Sequence, residues 1–227
     1  MLTRKDDTEG TWYPVAIKQL ECLIQKVIYP GRGYRNLYAL RKNLAYNLQY
    51  IEFLHLCLED LKISSVIKTQ IWKNFIMVGC GIIESLVHFL LIAEGFHKTI
   101  DWELVDIAPG NQKNMDGEVR KIDSHIYGKL SSPRPEKMTF DAMLKKAENK
   151  CLLGNNHSVY SKLKILRILR NRIHLQEIGN PTDTDWNAVN ETDFYEMRAV
   201  IYTIFTGSIF KPSHEEKKFF EYLKTNA

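Results

Sequence analysis

Leu37-Tyr38-Ala39-Leu40-Arg41-Lys42-Asn43-Leu44-Ala45-Tyr46-Asn47-Leu48 opens the stretch that decides the fold, and its pattern runs on through Ile51, Leu54 and Leu58. Apolar residues return every three or four positions, the period at which side chains share one face of an α-helix. The spacing predicts a helix over about 34–61. A second run, over about 65–94, is apolar almost throughout and stops at Gly95. Two helices of this length on so short a link pack antiparallel.

Working outward, a first helix is expected over about 13–28, with Pro14 in its first turn and Pro30-Gly31 ending it. Between 96 and 135 the helical period breaks, and Pro109-Gly110-Asn111 reads as a turn. Within it, 102–107 and 119–122 have the composition of a small hairpin. The segment is too short for a core of its own and reads as an irregular insertion or lid. Helix returns over about 140–149. A further helix begins near Ser158 as N-cap and ends at Gly179-Asn180-Pro181. Another follows over about 193–205, and Ser213-His214-Glu215-Glu216 reads as a capping box opening a last short helix. The expected fold class is all-α: an N-terminal helical extension (1–33), a bundle (34–209) with its insertion at about 96–135, and a short C-terminal helix (210–227).

The chain has 227 residues, 44% of them hydrophobic, and a formal net charge of +4. That is enough apolar material for one substantial core, and the mild basic excess tolerates a polyanionic partner without requiring one. Its four cysteines are scattered with no Cys-x-x-Cys spacing, so neither a zinc site nor a disulfide framework is expected. The first residues are charged and lack an apolar signal core, which makes the cytoplasm the expected location. The run 75–93 is long enough to span a bilayer. Glu84 sits near its centre, with Ser85 and His88 close by, and an ionisable group there is costly in lipid. A buried helix of a soluble bundle, with no membrane contact, is the expected reading.

Chemistry concentrates in Leu163-Lys164-Ile165-Leu166-Arg167-Ile168-Leu169-Arg170-Asn171-Arg172-Ile173-His174-Leu175. At 100° per residue, Ile165, Leu166, Ile168, Leu169, Ile173 and Leu175 cover roughly half a helix, while Lys164, Arg167, Arg170, Asn171 and His174 gather on an arc of about 120°. Leu163 falls on the polar arc and Arg172 on the apolar one. The expectation is a buried aliphatic face and a displayed cationic one, with Lys164 and Arg172 as RNA-binding residues.

This segment resembles the HEPN superfamily, in which a late helix carries an Arg, four to six residues and then a His, often as Arg-Asn followed by His. Six residues separate Arg167 from His174. Arg170-Asn171 matches the Arg-polar pair, but only three residues separate Arg170 from His174. Either arginine is therefore a candidate for the catalytic one. The resemblance implies a helical bundle, a metal-independent endoribonuclease without a cofactor, a homodimer completing the site, and a toxin or defence role with a neutralising antitoxin or other regulatory partner. It also marks Glu84 as a secondary site candidate, since related families often carry an acid on the corresponding early helix. The residues themselves fit such chemistry. An imidazole near its free pKa moves protons at neutral pH, and a guanidinium grips two phosphate oxygens through its planar fork. Two other readings stand beside the enzyme: a non-catalytic module that binds RNA or assembles another protein, and an interaction protein without nucleic acid. Glu84 and His88 lie one turn apart, where a hydrogen-bonded core pair is expected and no metal site, since no third ligand stands at helical spacing.

Overall fold

The computed structural model describes residues 3–4, 12–173 and 179–224. The chain divides into two compact units, one from residues 1–94 and 139–227 and one from residues 95–138.

The first unit is helical. Its short strand β1 (Thr3–Arg4) pairs with β2 (Leu61–Lys62). Helix α1 (Ile17–Gln25) buries Leu20, Leu23 and Ile24. The chain entering α1 is clamped to the next helix: the Glu52 carboxylate accepts from the Val15 amide at 3.2 Å, and Gln49 Nε2 donates to the Val15 carbonyl at 3.0 Å. Helix α2 (Leu37–Asp60) buries Leu40, Leu44, Leu48, Ile51, Leu54 and Leu58, the stripe its three-four spacing predicts.

Helix α3 (Ser65–Ala93) starts at Ser64, whose hydroxyl accepts from the Ile67 amide. Its length and mean hydropathy of 2.2 suit a membrane crossing, yet 61% of that stretch is buried inside the molecule. Around α3 pack α2, α4 (Phe140–Asn149), α5 (His157–Arg170), α6 (Asp185–Ala188) and α7 (Glu191–Thr206). A Cβ at Gly79 would sit 2.7 Å from the Met197 sulfur, so glycine lets α7 approach α3. Capping boxes open α7 at Asn190 and α8 (His214–Lys218) at Ser213.

The second unit corrects the expected fold class. The segment expected to be irregular is a two-stranded ribbon, so the molecule is α+β and not all-α. Strand β3 (Thr99–Ala108) pairs antiparallel with β6 (Ser124–Pro135), and β4 (Gln112–Met115) with β5 (Glu118–Lys121). The expected pairing of 102–107 with 119–122 is also overturned: Trp102 faces Lys129 and Ile107 faces His125. Pro109-Gly110 ends β3 and lies between the two strand pairs; the chain does not reverse there. A Cβ at Gly110 would lie 1.8 Å from the Ile122 carbonyl oxygen, so only glycine permits this crossing. The chain reverses at Asp116 and Gly117, where φ is 56° and 81°. Positive φ at both central residues matches the right-handed twist of the flanking strands, and Asp-Gly is a favoured pair for it.

A candidate arginine site on the fifth helix

Helix α5 is anchored before it begins. The Asn156 side chain accepts from the Ser158 amide at 3.1 Å, so the N-cap lies two residues ahead of the expected Ser158. Tyr160 is fully buried; its hydroxyl accepts from the Leu153 amide at 2.7 Å and donates to the Gly154 carbonyl at 3.2 Å. Burial pushes this phenol up to about 12, so it remains a neutral link between the preceding turn and the helix. The α-helix ends at Arg170, earlier than expected, and continues as a 3-10 turn over Asn171–Ile173.

The orientation of α5 is rotated from the one expected from its sequence, although Leu166 is buried as expected. Val159, Tyr160, Leu163 and Leu166 are buried, whereas Ile165 and Ile168 are 56% and 61% exposed. Leu163, which the helical projection placed on the polar arc, is the anchor of the packed stripe. The arc carrying Arg167 and Arg170 therefore lies toward the neighbouring helices. Burial of Tyr160, Leu163 and Leu166 turns that side inward, and the carboxylates of α3 and α4 give the guanidinium heads partners there.

Each described lysine and arginine of this segment meets an acid. Lys164 Nζ lies 2.5 Å from Glu148, and Arg167 Nη2 lies 2.9 Å from Asp141. Arg170 Nη2 donates to Glu84 Oε2 at 2.6 Å. Arg172 Nη1 donates to Asp183 at 2.6 Å, and its other terminal nitrogen to the Asp183 carbonyl at 3.2 Å. The acids respond accordingly. Asp141 is held below the ordinary carboxylate range by Lys145 and then by Arg167, and Glu148 by Lys164. Asp183 is lowered by the Gly179 amide and by Arg172. Burial alone would raise Asp185, but hydrogen bonds from Lys73 and Gln70 outweigh it and keep that carboxyl low.

Glu84 and Arg170, placed by sequence on separate helices, are thus brought together. The His88 ring, one turn from Glu84 on α3, meets Tyr34 edge-on at 5.8 Å. Asn171 is exposed at the start of the 3-10 turn. His174 lies outside the described residues. Arg172 serves as a clamp: with buried Lys73 and Asp185 it ties the segment around Asp183 to α3.

Sequence reading missed the acidic partners Asp141, Glu148, Asp183 and Asp185. A signal for two of them was present. Asp141 and Glu148 stand seven apart on one helix, and Lys164 and Arg167 three apart on the next, so each pair shares a face. Among the described residues no group of His, Cys, Asp and Glu is arranged to hold a metal ion. No family model matches the chain, nor does any curated protein or solved structure.

Proposed function

We propose that this chain is a HEPN-type, metal-independent endoribonuclease acting in the cytoplasm as a homodimer, with a toxin or defence role and a neutralising protein partner. The observation that carries the reading is the Glu84–Arg170 hydrogen bond, which fixes a guanidinium four positions before His174 in the sequence. In the proposed reaction a neutral His174 imidazole takes the proton of a ribose 2′-hydroxyl. The 2′-oxygen bonds to phosphorus, the bond to the 5′-oxygen breaks, and that oxygen leaves with a proton from an imidazolium or water. The product is a 2′,3′-cyclic phosphate and a 5′-hydroxyl. Arg170 or Arg167 binds the phosphate oxygens and stabilises charge developing on them, with Asn171 as a further donor. Exposed Ile165 and Ile168, one turn apart, support an apolar seat for the second copy.

A second reading is a non-catalytic HEPN-like module that binds RNA or assembles another protein. The ion pairing of Lys164, Arg167, Arg170 and Arg172 favours its protein-assembling form, because a phosphate, cleaved or merely bound, must compete with a carboxylate for each of them. One assay separates the two. Purified protein is incubated with total RNA in EDTA beside His174→Ala, Arg167→Ala and Arg170→Ala. The enzyme reading expects cyclic-phosphate fragments from the wild type, none from His174→Ala, and a loss of at least about a hundredfold for the operative arginine. Equal residual nicking by all four proteins, or 3′-hydroxyl ends, removes it. RNA retention in a gel shift without turnover establishes the module instead.

A further inference from the structure

The ribbon of the second unit carries a surface that the proposed chemistry leaves unused. In an antiparallel ladder, directly opposed residues project to the same side. Trp102 faces Lys129, Leu104 faces Tyr127 and Ile107 faces His125. The bulge at Val105 keeps these three pairs on one face. The whole face is exposed: Trp102 is 55% and Tyr127 54% accessible, and Lys129 enters no ion pair among the described residues. The neighbouring carboxylates Glu103 and Asp106 alternate onto the other side, where Val105 lies over Gly128. Two aromatic rings, an imidazole and the Lys129 ammonium are therefore gathered on one side, apart from those acids.

We propose that this face binds single-stranded nucleic acid, with bases stacking on Trp102 and Tyr127 and phosphates drawn to Lys129 and His125. Two exposed aromatic rings at neighbouring positions of a ladder make a platform that every base can use, because each base offers a π-face. The charge is complementary to a phosphate backbone. It is a poor match to a protein partner, since lysine is depleted at the centre of protein interfaces and here stands directly opposite Trp102. A duplex hides its base faces in the stack and cannot use the platform. The surface stands on the ribbon's own side chains and holds whether or not the arginine helix is catalytic.

The test is fluorescence anisotropy of the full chain with a labelled oligothymidylate of about twelve nucleotides, a length within the range of such platforms. This DNA lacks the 2′-hydroxyl that the proposed cleavage needs, so failure of the nuclease reading leaves the measurement untouched. Binding is expected at low salt. Trp102→Ala and Tyr127→Ala should each weaken it about tenfold, while Trp102→Phe stays within about threefold of wild type. Lys129→Gln should lower the slope of log affinity against log salt by about 0.7, and Val105→Ala, on the other face, should leave affinity unchanged. Circular dichroism verifies that each variant keeps its fold. Absence of binding at low salt, affinities unmoved by the two aromatic substitutions, or equal binding of a duplex would overturn the proposal. So would aromatic variants that alter self-association in sedimentation but not oligonucleotide binding, because the face would then belong to a protein partner.

Discussion

Lys73 is the residue on which the segment after the arginine helix depends. It is 6% exposed, and its ammonium donates to both Asp185 carboxylate oxygens, at 2.8 and 3.0 Å. Gln70 donates to the same carboxylate at 3.1 Å. Removing one partner of a buried pair strands the other charge away from water, which costs far more than losing an exposed pair. Asp185→Ala is therefore expected to lower unfolding stability by about 3 kcal/mol. Glu215→Ala, which breaks the exposed Lys218–Glu215 pair, should leave it essentially unchanged. Chemical denaturation of both variants checks the contrast, and equal effects would show that Lys73 is solvated in solution. None of this was legible beforehand. Lys73 sits in an apolar helix and Asp185 at the start of short α6, 112 positions away, and periodicity carries no information about such a pair.

At the scale of elements, the sequence was most readable where one side of a helix meets a core. In α2 the spacing of leucines leaves a single solution, and the buried residues follow it. In α5 it did not, because two arcs competed for the interior. The arc over 163–175 favoured the isoleucines, but Val159, Tyr160 and Leu163 extend the packed stripe on the other side, where Glu84, Asp141 and Glu148 of other elements pair the cations. The ribbon's pairing differs from the expected one for a local reason: Pro109-Gly110 is a strong turn signal, but the chain reverses at Asp116-Gly117, seven residues on. That pair makes the second expectation concrete. At φ of 81°, Gly117 occupies a conformation that costs a β-branched residue about 1–3 kcal/mol. Gly117→Val should therefore raise amide hydrogen exchange throughout β4 and β5 while protection where β3 pairs with β6 is retained. Unchanged exchange at 112–121 would mean that the turn is not strained by the side chain.

The helical unit as a whole is closed by a contact between its first long helix and its last turn. Arg198 of α7 donates to the carbonyls of Tyr222 and Lys224, and the His55 ring of α2 lies 5.4 Å from that of Tyr222. His55 Nδ1 is buried without a hydrogen-bond partner among the described residues. Burial first, and then the Arg198 charge, push this imidazole down to about 4, against the pull of Glu59 and Asp60. Between pH about 6.5 and about 4 the unfolded chain thus binds a proton that the folded chain refuses. Stability is complete above that window and declines as pH falls through it. Glu52, raised by burial, acts in the opposite direction, taking its proton more readily when folded. The ion-paired carboxylates Asp141, Glu148, Asp183 and Asp185 are all held low, so their losses lie mostly at the acid end of the window and below it. Wild type should accordingly lose on the order of 2 kcal/mol between neutrality and pH about 4.5, allowing for partial solvent access of the ring. His55→Phe keeps an aromatic ring against Tyr222 and removes both the buried unpaired nitrogen and the titration. It should be at least as stable as wild type at pH about 7 and markedly less sensitive to acid. Urea denaturation of both proteins across the window measures the difference, and parallel pH profiles would show that His55 is not the group that governs acid stability.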